Sequence, residues 1–488
     1  MTQIRALRSD IRHWRRGRAT ARFVDVLGDA YIALFATLMF GSMIVNVVVN
    51  VRREAGVMCT SAGCHEARTL MPWVIGLSGV VVVLAIARLF GPIFVSPAVG
   101  SWLLPTPVDR ASVLRPRLIG TAFLATVLGG LLAAGASTLG GFPLASLLAF
   151  TGSAALLSLA VVSFAALSQS RAGLGSRVLL WLLSLAVWAG LLVLALKVGP
   201  VASPPELPTG WVIGLIAGAV AALAILVLAF RRLGRLGRHH ISPGGSLAPG
   251  LSGALATLDL ALVYDVLLAH RWHRHDAVRS RRGGPSGPKA LVWLDLVRLR
   301  RSPQTVILLM AAVVVPYAAE TAGVGRVVVL IGGLAGFVAG LPLLSALRVV
   351  TRTPSLLRAM PFPVASTRMA TLAVPTGAMA LFGLATFPAI HASINLTWTD
   401  SVIVSIAVGG ASAAAAVRWV TGRPPDYTRP LVSTPAGGVP TNLYGSVVRG
   451  FDVLLLTTAP LLIFPSANGA LFSLVVSFGV LSYLTGRE

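Results

Sequence analysis

Apolar residues fill this chain in blocks of about twenty, separated by short segments rich in Arg, Pro and Gly. A helix rising ~1.5 Å per residue needs ~20 mainly apolar residues to cross a hydrocarbon core of ~30 Å, so each block predicts one membrane span. Twelve such spans are expected, some of them short: 29–51, 72–95, 118–139, 142–168, 178–199 and 210–230, then 303–319, 327–348, 369–390, 400–417, 451–464 and 468–484. The fold class this implies is an all-α integral membrane protein.

The polar segments between the blocks orient them. Cytoplasmic loops hold the excess of Lys and Arg. With an even number of spans and an internal N-terminus, 34 of the 40 basic residues fall on the cytoplasmic side. Five fall outside (Arg52, Arg53, Arg68, Lys197 and Arg326), and Arg88 lies within a span. Both termini are therefore expected in the cytoplasm of a multi-pass cell-membrane protein. Before the first block, Arg5, Arg8, Arg12, Arg15 and Arg16 interleave with Ile4, Leu7, Ile11 and Trp14, a spacing that predicts a basic helix lying along the interface. The block at 29–51 is too long for a signal-peptide core and ends without an A-x-A site, so no cleaved leader is expected.

Composition agrees with the pattern. The 488 residues are 56% hydrophobic and 11% charged, with a mean hydropathy of +0.83, outside the range of soluble domains. A net charge of +24 would suggest nucleic acid in a soluble chain. Here the basic residues follow the topology, so the expected partner of that charge is anionic lipid at the cytoplasmic face, with no nucleic acid.

The loop after the second span reads SPAVGSWLLPTPVDRASVLRPR, and the loop after the eighth reads TPSLLRAMPFPVASTRMA. Each runs from Ser-Pro or Thr-Pro through an apolar stretch to Pro-x-Pro-Val and an Arg. Upstream, RALRSDIRHWRRGR before the first span parallels KALVWLDLVRLRRSP before the seventh. An even number of spans separates the copies, so two parallel six-helix repeats are expected, related about an axis along the membrane normal. Residues 1–28 form the basic arm, 29–230 the first half, 231–302 a basic cytoplasmic linker with interfacial helices, and 303–488 the second half. Within the linker, SPGG at 242 with YDVLLA at 264 echoes TPAGG at 434 with FDVLLL at 451, leaving 251–270 interfacial, reentrant or spanning.

The chemistry is sparse. All sixteen acidic residues fall in loops or at span ends, so the buried carboxylate that an ion-coupled carrier needs is missing. The only lysines, Lys197 and Lys289, do not follow a G-x-x-x-x-G phosphate cradle. No H-E-x-x-H, membrane-embedded acid pair or Ser/His pairing points to an enzyme. Energy for transport would then come from a separate ATPase on the cytoplasmic face, where Pro-x-Pro makes a stiff corner able to transmit a push.

With these features the chain resembles the membrane subunits of ABC-2-type ABC exporters, here with two six-span units fused. In that family each unit begins with an interfacial elbow helix, and the loop between its second and third spans carries a coupling helix against the ATPase. The resemblance implies that Pro105, Pro107, Val108, Asp109 and Arg110 in one half, and Pro361, Pro363, Val364 and Arg368 in the other, contact a separate cytoplasmic ATPase subunit. It implies a permease without catalytic residues, cofactor or metal, exporting an unidentified hydrophobic or amphipathic substrate. The competing expectation is a non-transporting scaffold or assembly factor holding partners on its basic face.

Smaller signals complete the reading. Cys59 and Cys64 are the only cysteines and fall in a predicted external loop, where an oxidising exterior favours a disulfide. With His65 they make an incomplete metal set, and free thiols remain the third reading. His270, His273 and His275 beside Asp276 sit among four Arg residues, which favours a solvated basic stretch over a metal site. Gly332, Gly336 and Gly340, and Gly129, Gly130, Ala133 and Ala134, predict close helix packing, with the lining of a lateral gate for an apolar substrate as the alternative. Arg88 and Arg348, near the cytoplasmic ends of equivalent spans, read as snorkelling side chains.

Overall fold

A computed structural model describes residues 62–96, 99–106, 109–169, 174–197, 209–237, 260–273, 284–422, 432–434, 437–439 and 448–486, with scattered helical positions within 31–46 and 241–254. Nearly all of the described chain is helical. Helices α1 (Ala62–Phe90), α2 (Arg110–Leu139), α3 (Leu144–Gln169), α4 (Leu174–Leu196) and α5 (Thr209–Arg232) come first. The linker supplies α6 (Leu260–His273) and α7 (Lys289–Arg301). Then come α8 (Gln304–Ala312), α9 (Val314–Thr321), α10 (Val328–Gly340), α11 (Ser345–Arg352), α12 (Pro354–Ala359), α13 (Val364–Ala385), α14 (Phe387–Ile394), α15 (Trp398–Thr421), α16 (Phe451–Ile463) and α17 (Ala467–Gly486). A three-residue antiparallel ladder pairs β1 (Val432–Thr434) with β2 (Gly437–Val439), Val432 opposite Val439.

Among the described residues ten stretches are long and apolar enough to cross a membrane, and each matches an expected span. Two are composite: Gln304–Thr321 joins α8 and α9, and Gly325–Arg352 joins α10 and α11 through a 3-10 turn at Leu341–Leu344. The expected span 29–51 lies almost wholly outside the described residues. The expected span 451–464 is α16, whose 13 residues fall short of spanning length. Of residues 251–270, left open by the sequence, 260–270 lie in α6, whose described 14 residues are fewer than a span needs, and most of 251–259 lie outside the described residues.

The chain divides into two compact units, Met1–Val187 with Pro200–Ala248, and Trp188–Gly199 with Pro249–Glu488. In the first, α2, α3 and the end of α5 close over Leu114, Leu118, Ala166 and Leu233, and α1 packs on α3 through Val80, Leu84, Val161 and Ala165. In the second, α15 is the central helix, buried through a run of small residues from Ala411 to Ala416. Phe337, Trp419 and Phe451 meet edge to face at its end, with centroids 5.3 to 6.2 Å apart.

The expected glycine packing is present. A Cβ on Gly332 would stand 3.3 Å from Pro316, one on Gly336 would meet Phe382 and Ser412 at 2.6 Å, and one on Gly340 would overlap Met379. Gly129 is closed by Ser158. At Gly383 and Gly409, α13 and α15 touch backbone to backbone, an approach that any side chain would prevent. At the end of α4, Lys197 adopts φ 54° and its ammonium lies 2.9 Å from Glu320, while the Thr321 hydroxyl donates to the Leu194 carbonyl at 2.9 Å. That bond satisfies one of the carbonyls a helix C-terminus leaves open.

Candidate functional site

The first Pro-x-Pro corner begins where α1 stops. Gly91 has φ 76°, which turns the chain out of the helix, and the turn is then held by side chains from elsewhere. The Gln169 amide donates to the Ile93 carbonyl at 2.9 Å and accepts from the Ile93 N–H at 3.3 Å, as a neighbouring strand would. Arg117 donates to the Phe94 carbonyl at 2.7 Å. Linker glycines Gly244 and Gly245 lie so close to the Phe90 and Val95 carbonyls that a Cβ on either would overlap them. Beyond this braced turn comes one π-helical turn, Val99–Leu103, closed by Leu104 N–H to the Val99 carbonyl at 3.1 Å. Leu104 is buried, while Trp102 is 81% exposed.

Pro105 is exposed, and Pro107 and Val108 lie outside the described residues. Asp109 is the N-cap of α2: its carboxylate accepts from Ala111 N–H at 3.1 Å and Ser112 N–H at 3.2 Å, and Ser112 Oγ donates back to the Asp109 carbonyl at 2.7 Å. Such a cap contributes about 1 kcal/mol. Arg110 opens α2 and is exposed.

The second corner follows α11. Thr353 breaks the helix, and α12 begins at Pro354, whose fixed φ and missing N–H suit a first helical position. Arg358, Pro361 and Pro363 are exposed and Val364 is half-buried. Pro363 caps α13 without a side-chain bond, its carbonyl accepting from Ser366 Oγ at 2.8 Å and Thr367 Oγ1 at 3.2 Å. Arg368 points inward and donates to the Thr485 carbonyl at 3.2 Å. Arg110 and Arg368, matched by sequence, therefore differ in setting. Arg117, with its bond to a main-chain carbonyl, is the closer parallel to Arg368.

Two charge clusters, which composition does not reveal, brace the second corner. Arg348 is 2% exposed: Nε donates to Asp265 of α6, Nη2 donates to the Ala261 carbonyl at 2.8 Å, and the guanidinium lies 5.0 Å from the Tyr264 ring centroid. Arg352 adds a contact at 4.0 Å to the second carboxylate oxygen. Arg348 is thus no snorkelling side chain. It is a buried cation held by a linker acid, one turn before the chain enters α12. On α7, Arg298 donates to Ser345 Oγ at 2.6 Å and to the Leu343 carbonyl at 2.5 Å, using an acceptor of the 3-10 turn, and lies 3.3 Å from Asp295. Asp295 is 3% exposed, and burial raises its carboxyl to about 6 against the opposing pull of Arg298. The signal for these clusters was present as Asp295 with Arg298 at helical spacing, and as the lone acid of YDVLLA.

His391 Nδ1 lies 3.0 Å from Ser401 Oγ, a Ser/His pairing that the sequence does not suggest. The Ser401 hydroxyl also reaches the Thr397 carbonyl at 2.8 Å, an alternative acceptor that draws its one proton away from the imidazole. A nucleophilic serine needs the opposite polarity, with its own proton passed to histidine. Among the described residues no three His, Cys, Asp or Glu side chains gather to hold a metal. Cys59, His275 and Asp276 lie outside the described residues, as do the side chains of Cys64, His65, His270 and His273.

No curated protein matches the chain. A family model matches residues 64–430, a stretch holding both proline corners and the linker that braces them. This multi-helix, multi-pass membrane protein therefore belongs to DUF6297, a family of unknown function.

Proposed function

We propose that the protein is the membrane-spanning permease of an ATP-driven exporter in the cell membrane, built as two six-helix units with both termini cytoplasmic, and energised by a separate ATPase. The observation that carries this reading is a short, partly exposed helical element in the equivalent loop of each half. Val99–Leu103 follows the second expected span and α12 follows the eighth, and each precedes a proline corner and a long helix. Each is also braced by the linker, through Gly244 and Gly245 in one unit and Asp265 in the other. A partner pressing on either loop would therefore move helices instead of deforming a loose connection. The proposed topology is supported by Lys197, counted among the exterior charges, and Glu320, which follows the expected span 303–319 on the same side, with the two 2.9 Å apart. The paucity of charge in the spans favours a hydrophobic or amphipathic cargo.

The test is purification of the tagged protein from crosslinked membranes, with mass spectrometry for a nucleotide-binding subunit, followed by ATP-driven efflux from vesicles. Arg110→Glu with Arg358→Glu, two exposed positions on the two corners, is expected to release the ATPase. Absence of an ATPase from the crosslinked complex, or association unchanged by both charge reversals, refutes the proposal.

A further inference from the structure

Where α1 ends at Phe90 while α2 runs on beside it, a cavity of about 220 Å³ opens among α1, α2 and α3. Its walls include Val83, Phe90, Leu124, Leu128 and Val162, and Phe94 contributes from the braced turn. The polar backbone at that end is already engaged, Ile93 by Gln169 and the Phe94 carbonyl by Arg117, which leaves an apolar interior. The outer rim carries Ile86, Leu124 and Leu128, side chains exposed on helices of spanning length, so the opening faces the bilayer's own molecules. The volume is below the roughly 300–1,000 Å³ of pockets for drug-sized ligands and suits something slimmer.

One stripe of α2 decides what that is. Arg117, Thr121, Leu124 and Leu128 recur at helical spacing and so share a face. Thr121, Leu124 and Leu128 line the cavity, and Arg117 stands one turn above it, its guanidinium fixed over the turn by the bond to Phe94. Arg110 lies two turns further back on the same stripe. The acid nearest in sequence, Asp109, is occupied in capping the α2 N-terminus. An apolar slot topped by a half-buried guanidinium, whose five donors include one spent on a carbonyl, matches an acyl chain joined to a phosphate. We propose that this cavity is a binding site for one acyl chain of an anionic phospholipid, with its phosphodiester held by Arg117. The inference needs only the membrane setting and stands apart from the proposed exporter activity.

Native mass spectrometry of the full chain in micelles tests it, with dioleoyl phosphatidylglycerol and dioleoyl phosphatidylcholine as probes of equal tails and different charge. Phosphatidylglycerol is expected to be retained about tenfold more strongly, the scale of one charge-assisted contact. Arg117→Gln should weaken retention of both lipids, since each carries the phosphodiester, and should narrow the gap between them, since only phosphatidylcholine offsets its phosphate with a choline cation. Ala125→Leu, which fills the cavity, should reduce retention of both lipids, and Leu124→Ser at the open rim provides the same reading should the filled variant fail to fold. Gly120→Leu, where added atoms meet open space, should change neither. Equal retention of the two lipids by the unaltered protein, or retention indifferent to Arg117→Gln and to both cavity variants, overturns the assignment.

Discussion

Replacing Asp265 by Ala should cost more than replacing its partner, Arg348, by Met, although both changes break the same ion pair. Removing one member of a fully buried pair costs about 3–5 kcal/mol, most of it from the charge left behind. Asp265→Ala strands a guanidinium that is 2% exposed, with only the Ala261 carbonyl and the Tyr264 ring to compensate. Arg348→Met strands a carboxylate whose side chain is 36% exposed and which still has Arg352 at 4.0 Å. Since water already shares the carboxylate, the full buried-pair figure is discounted to about 2–3 kcal/mol for Asp265→Ala and about 1–2 kcal/mol for Arg348→Met. On a unit of this size the first corresponds to a midpoint lowered by about 5 °C. Thermal unfolding of the four proteins of the double-mutant cycle, followed by tryptophan fluorescence in detergent, measures both costs and their coupling. Coupling near zero, or Arg348→Met as damaging as Asp265→Ala, would refute the account of Arg348 as a buried cation held by the linker.

Three further outcomes are expected. Asp295 has a folded value near 6 against an ordinary 3.8, so the native state binds the extra proton between these values and stability falls as pH rises through that window. Asp295→Asn should therefore gain on the unaltered protein between pH 4.5 and 7.5, and a difference in midpoint that ignores pH would contradict the burial argument. Gly244→Ala places a methyl in the Phe90 carbonyl, a backbone clash that should cost at least the 1–3 kcal/mol typical of overpacking and be seen as reduced accumulation of folded protein on size exclusion. Asp109→Ala removes the α2 cap and should cost about 1 kcal/mol, with Asp109→Ser restoring most of it in the same melting assay.

The spans are legible in the sequence because length and hydropathy are all a bilayer demands of a helix, and both survive averaging over a window. The tight packing at Gly336 and Gly340 is legible for a related reason, since small residues at four-residue spacing let helix backbones approach closely. The bracing of the corners is hidden because it depends on single polar atoms meeting across the chain. A window that reads 327–348 as greasy absorbs Arg348 as an end charge, and only the position of Asp265 on α6, 83 residues earlier, identifies it as buried. Matching Arg110 with Arg368 fails likewise: Pro-x-Pro-Val aligns the letters, but α2 begins after Asp109 and α13 after Pro363, so the two arginines occupy different turns. His391 and Ser401 are ten residues apart on different helices, and the Thr397 carbonyl competes for the Ser401 hydroxyl, an arrangement no motif encodes.

The short helix α16 constrains the lipid around it. Thirteen residues rise about 20 Å, some 10 Å less than a typical hydrocarbon core. Its end carries exposed Ile463 and Phe464, and the chain turns at Ser466, whose hydroxyl accepts from Gly469 N–H at 3.3 Å, to enter α17. A membrane hairpin with one short arm would be met by thinning of the adjacent leaflet, snorkelling of flanking side chains or oligomerisation, at fractions of a kcal/mol per Å of mismatch. On the proposed topology, in which α16 crosses the bilayer, the protein should favour membranes with shorter acyl chains, a sorting preference set by geometry with no headgroup recognition involved.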